Sequence, residues 1–499
     1  MSRIVRTSLI VTIFTVAELG LGFLSNVVIA AKFGAGREMD VFLAATTLPL
    51  FIITILSGSL NFTFIPVFAE YRAKDPQEIW KVVSSFVNLN IVVTSMVCIL
   101  GMIFAYPLVK LLTPGFSEEK LIKSAELLQW LFPMIIFTAV NQLMASVYYS
   151  NQKFVIPSFN KIIGPLLTII YVSLFQNSLS TKSIVLAMLS ATCIQMVLLA
   201  GGFLRTHDFH YSFVFDYKHP GVIKILKLMT PLVLGMVVYR GIALYDRFVL
   251  SLLPEGSISI FNYSNKIIAS ILPLVVTGIS TTVFPVISGY YIAKNMGLFK
   301  QRLEEVLRVL MVVTMPIIVF VVMFAGDVVK IIFERGSFNH PVTLQVSAIL
   351  SLQITVLFPM AAGTILGLCF YATQNTRIST ILGTLEAILY MAICYPLTVH
   401  MGLHGMVYAT MFDWFLSLVL SMIVLSRILD WNLQAIVKYF LKIVFCGVIL
   451  FIFLKFLKSN DISMYLSFLL YVILLFLLLS VLSINSEIKM IAKILLKRV

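Results

Sequence analysis

The stretch "FTFIPVFAEY" at residues 62–71 returns as "TTVFPVISGY" at 281–290. Two further pairs keep the same order. "KLLTPGF" (110–116) is echoed by "KIIFERGSF" (330–338), and "SVYYSNQ" (146–152) by "GLCFYATQ" (367–374). The last pair aligns Tyr149 with Tyr371 and Gln152 with Gln374, and the three separations are 219, 220 and 222 residues. One such match is weak. Three in order at a nearly constant spacing point to a duplicated chain.

What is duplicated follows from composition. The 499 residues are 60% hydrophobic and only 12% charged, with a mean hydropathy of +1.02. Soluble domains are about a quarter charged, so the fold class is an all-α polytopic membrane protein. Windows of about 20 mostly apolar residues, the length that spans a bilayer, give fourteen expected helices. They lie near 7–31, 42–66, 84–112, 126–150, 155–176, 183–204, 228–253, 258–289, 305–333, 344–369, 378–399, 402–426, 437–457 and 463–484. One repeat spacing holds six of them. The expected organisation is therefore an N-terminal lobe (1–204), a cytoplasmic inter-lobe loop (205–227) and a C-terminal lobe (228–426). Helices 13 and 14 (437–484) and a basic tail (485–499) follow. An even number of spans per copy gives both copies one orientation, hence a pseudo-two-fold axis along the membrane normal. In transporters of that kind the substrate site lies between the lobes near mid-membrane. A duplicated helical scaffold with no transport role is the plain alternative.

The net charge is +14. No basic run is interleaved with aromatics, so nucleic acid is set aside as a partner. Lys and Arg instead mark cytoplasmic loops of membrane proteins. With the N-terminus inside, they favour the cytoplasmic segments by about two to one, which places both termini in the cytoplasm. The first apolar run reaches about Ala31, too long for a signal-peptide core. The five cysteines fall inside apolar spans without CxxC spacing, and His207, His210 and His219 share one polar loop. Neither a metal site nor a disulfide framework is indicated. No nucleotide-binding loop or catalytic triad occurs, and the longest internal loop offers only Asp208 and Asp216. An enzyme is not expected.

The candidate functional residues are charges inside spans, where Arg, Lys or Asp costs roughly 2.5–3.5 kcal/mol at a helix centre. In "VVYRGIALYDRF" (237–248), Arg240 and Arg247 are seven residues apart and share nearly one face of helix 7. Asp246 is turned away by about 100°. With Lys266 at the start of helix 8, the arginines form a cationic stripe suited to phosphate or pyrophosphate, whose oxygens match guanidinium forks. The competing readings are that Arg247 snorkels to the interface and that Lys266 is a loop-edge residue. Glu18, Asp246 and Glu386 are intramembrane carboxylates able to hold Na⁺ or carry a proton. Glu18 could instead partner Arg240. No resident cofactor is expected, only a coupling ion.

Several stretches resemble the MviN/MurJ family of lipid II flippases, within the multidrug/oligosaccharidyl-lipid/polysaccharide exporter superfamily. They are "AAKFGAGREMDVFLAATTLP" (30–49), "FIPVFAEY" (64–71), "LLTPGF" (111–116), "LPEGSISIFNYSNKI" (253–267), "RGSFN" (335–339) and "FYATQNT" (370–376). The resemblance runs in order over about residues 1–425. It implies fourteen helices in two lobes around a cationic cavity, alternating access, and a lipid tail that stays in the bilayer while the headgroup crosses. It also implies roles for Asp40, at the family's aspartate after "FGAG", and for Lys266, where the family commonly has arginine. Asp246 matches an acidic helix-7 position that binds cations in some members. Helix 1 departs from the family's arginine-bearing pattern, with Leu19 and Ser25 at the arginine positions, and helix 2 has Ile53 at another.

The expectation is thus a flippase in a bacterial cytoplasmic membrane, monomeric, for an isoprenoid-pyrophosphate-linked glycan. The missing arginines tilt the cargo away from lipid II towards a capsule, O-antigen or exopolysaccharide unit. The alternatives are a cation-coupled multidrug exporter, against which the arginines argue, and a non-transporting scaffold for wall synthesis.

Overall fold

The computed structural model describes residues 3–75, 78–204, 211–460 and 462–481. The basic tail expected at 485–499, residues 205–210 of the inter-lobe loop, and with them His207, Asp208 and His210, lie outside the described residues.

Eighteen α-helices follow one another among the described residues. They begin with α1 (Arg3–Phe33), α2 (Arg37–Lys74), α3 (Glu78–Ile103), α4 (Ala105–Leu112), α5 (Glu118–Leu131) and α6 (Pro133–Ser150). Next come α7 (Val155–Asn160), α8 (Ile163–Leu179), α9 (Lys182–Leu204), α10 (Pro220–Ser251), α11 (Ser257–Ile292) and α12 (Met296–Phe333). The last described helices are α13 (His340–Gln353), α14 (Leu357–Ala372), α15 (Thr376–Met401), α16 (Leu403–Leu429), α17 (Gln434–Ser459) and α18 (Met464–Val481). Among the described residues, thirteen helical stretches are long and apolar enough to cross a membrane, and the shorter apolar helix Met464–Leu475 stands where the fourteenth is expected. Three spans are broken in the middle. Pro133 opens α6 directly after α5, a short turn separates α7 from α8, and a 3₁₀ turn at Ile354–Val356 precedes α14. Proline lacks the N–H that a helix interior needs, which is why it starts a segment here.

The duplication is written into local backbone geometry. Gln152 and Gln374, aligned from sequence, both take the left-handed conformation, at φ 57° and 58°. Each sits in the same helix-ending motif. Gln152 N–H donates to Tyr149 O and Lys153 N–H to Tyr148 O; Gln374 N–H donates to Tyr371 O and Asn375 N–H to Phe370 O. These paired bonds satisfy carbonyls the helix leaves orphaned. Ser180 and Gly402 form a second such pair, at φ 47° and 61°.

The chain divides into two compact units: Met1–Ser259 with Arg335–Asn339, and Ile260–Glu334 with His340–Val499. This division groups α10 with the first unit, where it packs along α2. The first unit has a core of Leu60, Phe64, Phe68, Val83, Phe86, Leu143, Val147 and Val222. Tyr148 stacks on Phe203 at 4.3 Å within it and donates its hydroxyl to Leu199 O at 3.0 Å. In the second unit α12 supplies Phe299, Leu303, Val306 and Leu310, packed with Ala361, Ile365 and Cys369 of α14 and Tyr439 of α17. The same helix kinks at Phe324 (φ −113°, ψ 26°), and Lys458 of α17 donates to Met323 O at 2.8 Å.

Candidate functional site

The first unit gathers three of the expected residues. Asp40 stands one turn into α2, only 2% exposed. Its carboxylate oxygens accept from Gly256 N–H at 2.7 Å and Ser259 N–H at 2.9 Å. These amides open α11, whose first N–H groups have no partner inside the helix and whose N-terminus carries partial positive charge. Asp40 therefore caps a helix that begins about 216 residues away. Two turns on, Thr47 accepts a 2.9 Å hydrogen bond from Nε of Arg247. Arg247 also lies within electrostatic reach of Asp40 and Asp246. Asp246 is thus close enough to offset Arg247 although it points from another side of α10.

Arg240, two turns earlier on α10, is exposed and lies over the Tyr239 ring at 5.6 Å. Among the described residues no carboxylate pairs with it. Glu18 is half-buried on α1 within reach of Tyr149. In the second unit Lys266 is exposed on α11, and Glu386 of α15 is half-buried with Ser417 of α16 beside it. The structure therefore joins Asp40, Arg247 and Asp246, and leaves Arg240, Glu18, Lys266 and Glu386 each in separate surroundings.

Sequence reading missed the contacts around this cluster. Lys120 of α5, only 9% exposed, pairs with Glu255 at 3.0 Å and lies over Phe116 at 5.2 Å. Arg37 pairs with Glu119. Two loops that the repeat relates clasp two helix ends in the same way. Gly115 lies so close to the end of α10 that a Cβ there would sit 2.1 Å from Ser251 O. Gly336 lies as close to the end of α1, with its Cβ position 2.2 Å from Ala31 O. Ser337 completes the second clasp, its N–H donating to Ala31 O at 2.7 Å and its hydroxyl to Lys32 O at 3.0 Å. The "TPGF" and "RGSF" echo was the available signal. Charge-based reading passed over it because the clasping contacts are made by glycine, backbone and a serine hydroxyl.

A family model described as "Lipid II flippase MurJ" matches residues 29–481. The chain belongs to the MurJ lipid II flippase family. A curated MurJ relative, "Probable lipid II flippase MurJ" of Buchnera aphidicola subsp. Schizaphis graminum, is 29% identical over 388 residues, covering 75% of this chain and 74% of the relative. The relative of the same name from Vibrio cholerae is 24% identical over 437 residues, covering 84% and 82%. Among solved structures, "Lipid II flippase MurJ, inward closed conformation" superposes with a TM-score of 0.83 at 21% identity, over 96% of this chain and 99% of that one. An inward-facing multidrug transporter of the MATE family and MOP superfamily superposes less well, at 0.67 and 16% identity, over 86% of this chain and 99% of that one. Both solved structures share this chain's fold, and the family model places the chain in the MurJ family. The tilt away from lipid II drawn from Leu19, Ser25 and Ile53 is outweighed by this membership.

Proposed function

We propose that the protein moves lipid II across the bacterial cytoplasmic membrane by alternating access, making and breaking no covalent bond. Membership of the MurJ family over residues 29–481 carries this reading, and Arg240 gives it a local chemistry. A guanidinium in the middle of a span, without a carboxylate partner among the described residues, is costly unless it meets water and an anion. The lipid's pyrophosphate is such an anion, and its paired oxygens fit the guanidinium fork. Arg247 and Lys266, each in surroundings separate from those of Arg240, are the further cations available to an anionic headgroup. Asp40 holds the start of α11 in register, close to Arg247. Glu18, Asp246 and Glu386 are the groups for a coupling ion, Na⁺ or H⁺, that would drive the cycle. The excess of Lys and Arg in the alternate loops supports cytoplasmic termini. The six-plus-six division into lobes rests on the repeat.

The test is mass spectrometry of lipids that co-purify with the protein in mild detergent, wild type beside Arg240→Ala. A muramyl-pentapeptide lipid in the wild-type sample, depleted in the variant, is the expected result. A different glycan on the same carrier would replace lipid II with another polysaccharide unit. Bulk phospholipid alone in both samples would overturn the anion-binding reading.

A further inference from the structure

The connection into α10 contains a segment that the transport cycle described above does not use. Residues 211–216 lie outside any helix against the flank of α3, with Val214 N–H turned back to Ser212 O at 2.8 Å. Polar side chains of α3 hold their backbone at alternate positions. Ser212 N–H donates to Ser84 Oγ at 3.1 Å and Asp216 N–H to Ser85 Oγ at 3.2 Å. Asn88 Nδ2 donates to Val214 O at 2.9 Å and receives the Tyr211 hydroxyl on its Oδ1 at 2.6 Å. Ser84, Ser85 and Asn88 are themselves buried, at 0%, 1% and 6% exposure. Phe213 and Phe215 lie between the held positions, and Tyr211, whose hydroxyl turns back to Asn88, and Tyr217 flank them. Phe213 is 90% exposed, and Tyr211, Phe215 and Tyr217 about half.

Position along α3 decides what those rings meet. Asn88 lies ten residues past the helix start at Glu78, about 15 Å along the axis at 1.5 Å per residue. Lys81 is the last charged residue before the apolar body of this span. A segment at that depth faces the boundary between headgroups and acyl chains, not bulk water. Irregular backbone there needs its polar groups satisfied internally. That requirement explains two serines and an asparagine on one side of an otherwise apolar helix. Phe and Tyr rings suit the boundary, since an apolar body can enter the acyl region while a hydroxyl stays wet. Exposed Lys81, Lys218 and Lys227 at the same end, with Lys218 over the Tyr217 ring at 5.7 Å, match anionic headgroups.

We infer that residues 211–217 form an aromatic strap that binds the lipid headgroup–acyl boundary. It anchors the connection between the repeats in the leaflet on the side of the N-terminus. The inference rests on the chain spanning a membrane and not on which lipid it carries, so failure of the lipid II reading would leave it standing.

The test places a nitroxide at Phe213→Cys in the full-length protein, reconstituted in nanodiscs containing anionic lipid. The labelled parent protein corrects for Cys193, the one half-buried native cysteine among five. Power saturation then compares collisions with oxygen, which partitions into lipid, and with a water-soluble nickel chelate. Residue 213 is expected to give an oxygen-to-nickel ratio several-fold above that of a label at Lys218→Cys. Nickel access equal to that at position 218 would show a water-exposed loop and overturn the inference. Shielding from both reagents would show protein covering the strap and overturn it equally. A combined Ser84→Val and Asn88→Leu variant supplies a second measurement. With the backbone partners removed, the label at 213 should lose its oxygen preference, and an unchanged ratio would show that α3 does not set the strap's depth.

Discussion

Replacing Gly336 by Ala tests the clasp on the end of α1 by a route whose magnitude can be worked out. Gly336 sits at φ +58°, where an L side chain costs about 1–2 kcal/mol. Its new Cβ would stand 2.2 Å from the carbonyl oxygen of Ala31, so the loop must withdraw by more than an ångström. Withdrawal breaks the 2.7 Å bond from Ser337 N–H to Ala31 O, a net loss of about 0.5–1.5 kcal/mol. Together these weaken the local contact by roughly 2–3 kcal/mol, or ~30- to 150-fold in the closed-to-open ratio of the loop. Hydrogen–deuterium exchange on peptides covering 335–339 reads that ratio directly. Exchange at Ser337 should accelerate by about that factor, while peptides covering Phe64–Phe86 stay protected. Gly115→Ala meets an equally near carbonyl, Ser251 O at 2.1 Å, but has no positive φ to sustain. Its clasp should loosen less. Unchanged exchange at Ser337 in the Gly336 variant, or a larger effect at Gly115, would refute the reasoning.

Three further outcomes follow from single contacts. Asp40→Ala leaves the Gly256 and Ser259 amides without their acceptor and should cost about 1–2 kcal/mol, seen as a lower unfolding midpoint in detergent. Tyr148→Phe removes the hydroxyl bond to Leu199 O but keeps the stack on Phe203. It should cost no more than about 1.5 kcal/mol, and a larger loss would mean that the hydroxyl holds more than that carbonyl. Glu334 is held below the ordinary carboxylate range by the Thr343 hydroxyl and then by His340. A lowered carboxylate contributes stability above its unfolded value that is lost as pH falls through the folded one. Thr343→Val should therefore flatten the decline of thermal stability between neutral and acid pH, and an unaltered slope would remove Glu334 from that account.

The repeat and the spans were legible because both live in runs of many residues. Hydropathy found the windows 42–66 and 258–289 but not the full α2 and α11, Arg37–Lys74 and Ser257–Ile292. The outer turns of α2 carry charges satisfied by partners elsewhere in the chain, Arg37 by Glu119 and Glu70 by Lys224. The window 126–150 likewise missed the first turns of α5. "EEKLIKSAELL" reads as a polar surface until Lys120 meets Glu255, 135 residues on. Thr47 gives no sign of being the partner of Arg247, because a threonine inside a span usually bonds its own helix. Here it does both, donating to Leu43 O at 2.7 Å while accepting from Arg247. Resemblance supplied Asp40 without its chemistry, and only the structure shows that its two oxygens cap the start of α11. The strap at 211–217 was hidden for a different reason. Its aromatics alternate at 211, 213, 215 and 217, but seven residues are too short a run to mark a site, and the partners Ser84, Ser85 and Asn88 lie at least 123 residues away.

Arg240 and Arg247 share a helix face, and from sequence they are one stripe; their surroundings separate them. Arg247 has a hydrogen-bond acceptor in Thr47 and two carboxylates, Asp40 and Asp246, within electrostatic reach. Its charge is largely answered inside the first unit. Removing it takes a nearby cation from Asp246 and from the buried, helix-capping Asp40, which is costly whether or not any lipid is bound. Arg240 has the face of Tyr239 and open surface. Removing it relieves a lone charge, so the empty protein should lose little stability or gain some. The two alanine variants should therefore diverge. Arg247→Ala should lower the unfolding midpoint with or without lipid II, and Asp246→Asn added to it should recover part of the loss. Arg240→Ala should leave the midpoint of the lipid-free protein in place and abolish the rise that added lipid II gives the wild type. If both variants lose stability alike and both keep the lipid-dependent rise, neither arginine meets the pyrophosphate, and the cation that does must be sought elsewhere in the chain.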